Sequence, residues 1–207
     1  VQCLDEVVVA TSTNEQDNCI AVFCDSLGVP CFRGSEDDVL NRICETLTTF
    51  NIDVNVEITG DSPILDPAIV DLGIRIWKAR DYDMVTNLLK TTYPPGMDVR
   101  VYWTETLLSA AALVENPADR EHVSYCILRH PDRFRILNFE AEGDHCRPDL
   151  DFELDTAEDY ALISAVCEEL RDIPSFGLDH VLDLLNRRPE LAQLNKNVER
   201  RWTEYFG

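Results

Sequence analysis

The chain has 207 residues, of which 45% are hydrophobic, and this size allows one soluble globular domain with a full core, with or without a small appendage. Acidic residues outnumber basic ones 39 to 18, for a net charge of −21, so the chain would repel a nucleic-acid backbone and we expect no nucleic-acid partner. No apolar stretch is long enough to span a membrane, and the eight cysteines form no Cys-x-x-Cys pair, which predicts a cytoplasmic protein with reduced core thiols and no membrane partner.

The first half of the chain is predicted to alternate short apolar strands with helices of 3.6-residue periodicity. Gly28 suits a left-handed cap at the end of the first helix, and Pro67 suits the first turn of the third. The strands are predicted at residues 7–10, 29–32, 53–59, 84–87 and 99–103, and the helices at 17–27, 39–50, 66–80 and 105–114.

The second half continues the alternation and then becomes helical. Helices are predicted at 119–129 and 155–171, the latter with a capping box from Thr156 to Asp159, and strands at 134–139 and 150–154. After Pro174, two helical pieces at 178–188 and 190–205 are separated by Pro189. We therefore expect a three-layer α/β/α domain with a mostly parallel sheet over residues 1–172, and a small helical C-terminal appendage over 173–207.

Loops that follow the strands of a parallel sheet are where ligands bind, and three of them carry suggestive residues. Arg33, Gly34 and Ser35 could meet a nucleobase, ribose or phosphate, although a plain helix cap explains them equally well. Asp61 and Asp155 each follow an apolar strand, and each could simply cap nearby backbone N–H groups. If the two carboxylates converge, they form a water-rich site suited to Mg²⁺ and substrate phosphates.

Two other polar segments are weaker candidates. The turn-rich segment 93–98 could close over a substrate, although most such turns are only turns. Arg120, Glu121 and His122 place a cation, a carboxylate and an imidazole side by side and could hold a sugar acid, while an exposed helix face is the simpler explanation. Asp66 is better explained as the cap of the helix that follows it.

Five motifs occur in order along the chain: VVATSTN at 8–14, FRGSEDDVL at 32–40, ITGDSP at 58–63, DREHV at 119–123 and LDTAED at 154–159. Together they resemble acylneuraminate-type cytidylyltransferases, which are CMP-sugar synthetases, and in particular the branch named after spore coat polysaccharide biosynthesis protein SpsF. The resemblance runs from about Val7 to the C-terminus, because segments 181–185 and 189–195 also resemble the tail of that branch.

The resemblance implies a Rossmann-like nucleotide-diphospho-sugar transferase fold and a cytidylyltransferase of cell-surface polysaccharide biosynthesis. Such an enzyme transfers CMP from CTP to a sugar acid with Mg²⁺ as cofactor and releases pyrophosphate. Asp61 and Asp155 would then be the catalytic metal ligands. The resemblance also implies a nucleotide side made of Arg33, Gly34, Ser35, Thr59 and Gly60, and a sugar side made of Tyr93, Gly96, Asp98, Arg120, Glu121 and His122.

One family feature is absent from this sequence, the N-terminal signature Arg-x-x-Ser-x-Arg-Leu-Pro-x-Lys, a basic loop that wraps the triphosphate. The first residues resemble the end of the helix after that loop, so we expect roughly forty residues, about one strand–helix unit, to be missing. Without that strand, two apolar strands would have unpaired backbone edges. We therefore expect the 207-residue chain alone to turn over CTP very slowly or not at all.

Several alternatives stay open at this point. The missing segment could precede Val1 in the natural protein, another chain could provide it, or the protein could be an inactive truncated homologue that binds nucleotide weakly or serves as a subunit. The motifs do not fix the base of the nucleotide or the identity of the sugar. Homodimers are common in the family, and residues 103–114 are a candidate dimer face, although core packing explains them equally well.

Overall fold

The computed structural model describes residues 1–116 and 120–200, and within them it contains six β-strands and seven α-helices. The strands are β1 (Val9–Ser12), β2 (Cys31–Gly34), β3 (Val54–Glu57), β4 (Met84–Thr86), β5 (Arg100–Trp103) and β6 (Ile136–Asn138). The helices are α1 (Asn18–Leu27), α2 (Val39–Thr49), α3 (Pro67–Ala79), α4 (Thr104–Ala111), α5 (Tyr125–Leu128), α6 (Ala157–Glu169) and α7 (Leu178–Arg187).

The strands form two sheets. β1 pairs with β2 in parallel, with Val9 opposite Cys31. In the other sheet the order is β3-β5-β4-β6, and β5 is antiparallel to both of its neighbours. β3 and β4 therefore run in the same direction, and β5 is the exception. The α/β class and the mostly parallel strands predicted from the sequence are confirmed.

Two strand edges bear on the prediction that an N-terminal strand is absent. β1 pairs on one edge with β2, and β3 pairs on one edge with β5. Among residues 1–116 and 120–200, no strand pairs with the other edge of either one. The outer strands β2 and β6 each have one unpaired edge in these residues as well, and the absence of a strand beside β1 stays a prediction.

The chain divides into two compact units. The first comprises Val1–Glu57, Gly73–Thr86 and Arg100–Leu137. Its core packs α2, α4 and α5 with the central strands β4 and β5, and the buried side chains there include Leu40, Leu47, Met84, Tyr102 and Leu107. In the candidate dimer region of this unit, Leu107 and Ala110 are buried whereas Trp103 and Leu108 are exposed, and the homodimer stays a prediction.

The second unit comprises Ile58–Leu72, Asn87–Val99 and the described residues from Asn138 onward. Its helices α6 and α7 contact each other, and its buried side chains include Met97, Phe152 and Leu178. The predicted boundary between residues 172 and 173 falls inside this unit. The division into a domain and an appendage at that point stays a prediction.

Local signals in the sequence placed most helix ends correctly. Gly28 has φ +67° and ends α1 in the left-handed conformation, as a C-terminal glycine does. The carboxylate of Asp38 caps α2 by accepting from Asn41 N at 2.9 Å. Thr156 and Asp159 form the predicted capping box of α6.

Three predicted elements are wrong in whole or in part. Residues 150–154 form no strand, because Phe152 N and Leu154 N donate to single loop carbonyls rather than to a ladder. The helix predicted at 119–129 is reduced to the single turn α5, because Arg120 pairs with Asp38 and Ser124 bonds Glu57; residue 119 lies outside the described part.

The third concerns the tail. In place of the helix predicted at 190–205, the described residues up to 200 contain only a 3₁₀ turn at Leu191–Gln193. The side chains of Asn195 and Arg200 instead bond the carboxylate of Asp159. Residues 201–205 lie outside the described part of the chain.

All eight cysteines are free thiols, as predicted. Only Cys24 and Cys126 are buried, however, and Cys19, Cys146 and Cys167 are exposed. The assignment of the thiols to the core is therefore wrong for those three. None of the described helices combines the length and the apolar character needed to cross a bilayer.

Candidate active site

The predicted site residues are divided between the two units, and each unit is considered by itself. The first unit contains Arg33, Gly34, Ser35, Arg120, Glu121 and His122, and the second contains Thr59, Gly60, Asp61, Tyr93, Gly96, Asp98 and Asp155.

The second unit gathers carboxylates around Glu153. A backbone hydrogen bond of 2.8 Å from Leu154 N to Asp61 O attaches the loop of Asp61 to the segment that leads into Asp155. Burial, followed by the negative charges of Asp98 and of other carboxylates that include Asp61 and Asp155, raises the pKa of Glu153 to about 8. Asp61 and Asp155, the predicted metal ligands, therefore both lie close enough to Glu153 to raise its pKa.

Neighbouring hydroxyl groups orient the carboxylate of Asp61. Thr59 Oγ1 donates a short hydrogen bond to Asp61 Oδ1. The hydroxyl of Ser62, which is buried, reaches the same oxygen at 3.4 Å. Gly60 is exposed and has open space where a Cβ would lie. The loop thus holds its carboxylate through side chains on either side of it.

Asp155 is exposed and stands at the entry to α6. Its backbone N donates to Asp159 Oδ2 at 3.3 Å, and Thr156 N donates to the same oxygen at 2.9 Å. Burial raises the pKa of Asp159, but hydrogen bonds from Arg200, Asn195 and Thr156 outweigh it and hold that pKa well below its ordinary value. A charged, buried carboxylate therefore anchors the backbone that carries Asp155.

The donor set suits a hard cation. Among residues 1–116 and 120–200, no three His, Cys, Asp or Glu side chains are placed to hold a metal ion together. Mg²⁺ commonly takes one or two protein carboxylates and fills its other positions with water and substrate phosphate. Asp61 and Asp155 would be the two carboxylates of such a site, and a cation would offset the negative charge around Glu153. The ion itself stays a prediction.

The predicted sugar-side residues of the second unit have distinct surroundings. Gly96 contacts the backbone of Phe152 so closely that a Cβ on the glycine would lie 2.6 Å from the carbonyl carbon. Tyr93 is buried, with its ring edge-on to Phe139, and burial raises the pKa of its phenol. Asp98 is half-buried and close enough to Glu153 to raise its pKa. Of these residues, Asp98 is thereby tied to Glu153.

In the first unit, Arg33 organises the loop after β1. Its Nε donates to Ser12 O at 2.8 Å, its Nη1 to Asn18 Oδ1 at 2.6 Å and its Nη2 to Asn14 O at 2.7 Å. All three guanidinium nitrogens of Arg33 therefore donate hydrogen bonds within the protein. A role of Arg33 toward a nucleotide stays a prediction.

Asp38 connects two predicted site residues of the first unit. Its backbone N donates to Ser35 Oγ at 3.0 Å, and its carboxylate receives Arg120 Nε at 2.9 Å. Ser35 and Arg120, predicted on the nucleotide and sugar sides, thus meet at one residue. Glu121 is exposed, and the ring of His122 lies edge-on to Tyr125 at 5.5 Å.

Sequence reasoning missed several residues of these clusters. Glu153 had a usable signal, because alternation from Asp151 to Asp155 places three carboxylates on one face of an extended segment. Arg200 had none, since its contacts with Asp159 span 41 positions of the chain.

A buried polar network in the first unit was also missed. The carboxylate of Glu57, at the end of β3, accepts hydrogen bonds from Tyr102 Oη and from Ser124 Oγ, the latter at 3.2 Å. Arg100 Nε lies 3.6 Å from the same carboxylate. The partners of Glu57 come from β5 and from the turn before α5.

Comparison with known proteins decides the family. The family model described as "Cytidylyltransferase" matches residues 1–177, which is most of the chain. The chain belongs to the cytidylyltransferase family. This membership makes it a nucleotidyltransferase, as the ordered motifs had predicted.

Individual relatives of this cytidylyltransferase agree with that assignment. Spore coat polysaccharide biosynthesis protein SpsF of Bacillus subtilis is 30% identical over 191 residues, which cover 91% of this chain and 78% of SpsF. An uncharacterised protein of Methanocaldococcus jannaschii is 29% identical over 200 residues, which cover 96% of this chain and 80% of that protein. A solved cytidylyltransferase structure from Leptospira borgpetersenii serovar Hardjo-bovis superimposes with a TM-score of 0.85 at 24% identity, covering 94% of this chain and 81% of that one, and confirms the fold.

Proposed function

We propose that this protein is a cytoplasmic, Mg²⁺-dependent cytidylyltransferase that transfers CMP from CTP to a sugar acid for a cell-surface polysaccharide. The observation that carries the proposal is the hydrogen bond from Leu154 N to Asp61 O, because it attaches the loop of one predicted metal ligand to the segment of the other. The name of the relative SpsF, a spore coat polysaccharide biosynthesis protein, supports the proposed pathway class.

The reaction needs positioning and charge neutralisation more than covalent chemistry. A hydroxyl oxygen of the sugar loses its proton to water and forms a bond to the α-phosphorus of CTP, the bond from that phosphorus to the bridging oxygen breaks, and pyrophosphate leaves. Held by Asp61 and Asp155, Mg²⁺ would supply positive charge to the triphosphate and to the departing pyrophosphate. Thr59 and Ser62 orient the carboxylate of Asp61 for this task.

The remaining predicted residues would bind the two substrates. Gly34 and Ser35 would offer backbone N–H groups and a hydroxyl to the cytidine, with Arg33 holding the neighbouring loop in place. A cation would attract an acidic sugar, and Arg120 is the candidate because its side chain stays 29% exposed in its pair with Asp38.

The test is pyrophosphate release by the natural gene product with CTP, Mg²⁺ and a panel of sugar acids. Asp61→Ala and Asp155→Ala should each lower the rate by about 10²-fold or more, as the loss of a group that stabilises transition-state charge does. The control Asp144→Ala removes an exposed carboxylate of the same unit and should keep the wild-type rate. If either site variant retains near-full activity, its role as a metal ligand is wrong.

The same assay examines the nucleotide and the chain length. Equal rates with ATP, GTP and UTP would contradict the assignment of cytidine. The 207-residue chain alone should release pyrophosphate very slowly, since its sequence contains no basic triphosphate loop. Rapid release by that chain would overturn this expectation.

A further inference from the structure

The carboxylate of Asp159 is fully buried and faces Asp155 on one side. It accepts hydrogen bonds from Asp155 N at 3.3 Å, from Thr156 N at 2.9 Å and from Thr156 Oγ1 at 2.8 Å. These bonds fix the backbone at the point where the chain leaves the extended segment 150–155 and enters α6. The direction of the Asp155 side chain therefore depends on where Asp159 is held.

The tail of the chain holds Asp159 from the other side. Arg200 donates through Nη1 to Oδ2 at 3.0 Å and through Nη2 to Oδ1 at 2.7 Å, a two-pronged contact. Asn195 Nδ2 donates to the same Oδ1 at 2.7 Å. Both donors lie in the segment after α7. This segment is irregular, whereas the sequence had predicted a helix there.

The tail also holds the start of the same segment. Arg200 Nε lies 2.9 Å from Asp151 Oδ2, and Asn195 Nδ2 donates to Asp151 O at 3.0 Å. Arg200 and Asn195 thus bind the chain at positions 151 and 159, which lie four residues before and four residues after Asp155. Since no strand ladder supports residues 150–155, these side chains replace the support that a sheet would give.

We propose that Arg200 and Asn195 are positioning residues that hold the carboxylate of Asp155 in place for its metal. The proposal rests on the proposed function of Asp155 as a magnesium ligand. Arg200 does not act on the substrate phosphates, because each of its three guanidinium nitrogens faces the carboxylate of Asp151 or Asp159. Groups that hold metal ligands in this way are known to tune metal affinity strongly.

The test measures metal binding and activity separately in matched variants. Arg200→Lys keeps the positive charge but loses the planar fork that bridges Asp151 and Asp159, and Asn195→Ala is a milder change that removes two hydrogen bonds. The control Arg188→Lys alters an arginine of the same unit that contacts two carboxylates, Glu169 and Glu190, on the surface. Mn²⁺ binding to each chain is followed by electron paramagnetic resonance, the Mg²⁺ dependence of pyrophosphate release by kinetics, and folding by thermal unfolding.

We expect Arg200→Lys to weaken Mn²⁺ binding about 10-fold or more and to raise the Mg²⁺ concentration for half-maximal rate by a similar factor. The rate at saturating Mg²⁺ should change less than the Mg²⁺ requirement, Asn195→Ala should shift both in the same direction by a smaller factor, and Arg188→Lys should shift neither. A role confined to stability would instead lower the melting temperature of Arg200→Lys and Asn195→Ala with Mn²⁺ affinity unchanged, and that result overturns the proposal.

Asp155→Ala separates this proposal from the one on which it rests. If wild-type Mn²⁺ affinity depends on Asp155 but not on Arg200 or Asn195, the positioning role fails and the metal role stands. If Asp155→Ala binds Mn²⁺ as tightly as the wild type, the metal role itself fails, and the positioning role fails with it.

Discussion

Gly96 packs so tightly on Phe152 that a Cβ added to the glycine would lie 2.6 Å from the carbonyl carbon and 2.8 Å from the carbonyl oxygen of Phe152. The backbone at Gly96 also has φ +87°, a conformation that residues with a Cβ rarely adopt. This contact, with the bond from Phe152 N to Pro95 O at 2.9 Å, fixes the loop 93–98 on the segment that leads to Asp155.

We predict that Gly96→Ala lowers the free energy of unfolding by about 3 kcal/mol or more, because it combines backbone strain with a collision against backbone atoms that cannot move aside. Gly143→Ala is the matched control: φ there is +59°, but the space for a Cβ is open. It should lose only about 1 kcal/mol from the left-handed conformation. Urea unfolding followed by circular dichroism measures both, and equal losses would show that the contact with Phe152 contributes nothing.

Asp66 caps two helices with its two carboxylate oxygens. Oδ1 accepts from Ala68 N in the first turn of α3, and Oδ2 accepts from Leu178 N at the start of α7, each at 2.7 Å. Since one cap contributes about 1 kcal/mol, Asp66→Ala should lower the free energy of unfolding by about 2 kcal/mol.

Asp66→Asn serves as the internal comparison for this prediction. An amide offers one acceptor oxygen where the carboxylate offers two, so it can satisfy one of the two N–H groups. Its loss of stability in urea unfolding should lie about midway between the wild type and Asp66→Ala. A loss as large as that of alanine would mean that neither cap accepts an amide oxygen.

The two bonds of Asp66 show what a sequence can predict and what it cannot. The bond to Ala68 spans two positions and follows from the pattern Asp-Pro before a helical repeat. The bond to Leu178 spans 112 positions and has no local signature. No local pattern in the sequence indicates that position 177, before α7, needs a glycine. A Cβ on Gly177 would nevertheless lie 2.5 Å from Asp66 Oδ2.

The same distinction holds at the candidate site. Asp61 and Asp155 could be proposed as site residues from the sequence, because each follows an apolar run within an ordered motif. The support beneath Asp155 could not, because it comes from Asn195 and Arg200 in a segment whose spacing had suggested a helix. Arg33 shows the converse: its position was predicted, but its three bonds to the loop of residues 12–18 depend on tertiary structure.

Exposure of the thiols predicts two classes of reactivity. Cys19, Cys146 and Cys167 are exposed and free, so they should react rapidly with Ellman's reagent at pH 8. Cys126 should react only after unfolding, because burial, with smaller effects of Cys44 and Glu57, raises the pKa of its thiol to about 12.

Serine variants check this assignment. Cys167→Ser should reduce the number of rapidly reacting thiols by one, and Cys126→Ser should leave that number unchanged in the folded protein. In urea, Cys126→Ser should show one thiol fewer than the wild type. If folded Cys126→Ser had one rapidly reacting thiol fewer than the folded wild type, the buried position of Cys126 would be contradicted.

The ion pair between Asp38 and Arg120 predicts a pH dependence of stability. Burial raises the pKa of Asp38, but hydrogen bonds from Arg120 and Asn41 and the positive charge of Arg120 outweigh it and leave that pKa below its ordinary value. A carboxyl group whose pKa is lower in the folded state stabilises the protein above its unfolded pKa of about 3.9, and loses that contribution as the pH falls through the folded value.

Asp38→Asn removes the charge and keeps an oxygen that can cap α2. Wild-type protein should therefore be more stable than Asp38→Asn from pH 5 to 7, and the difference, measured by urea unfolding, should shrink as the pH is lowered toward 3. A difference that stays constant over this range would mean that the charge of Asp38 contributes nothing to stability.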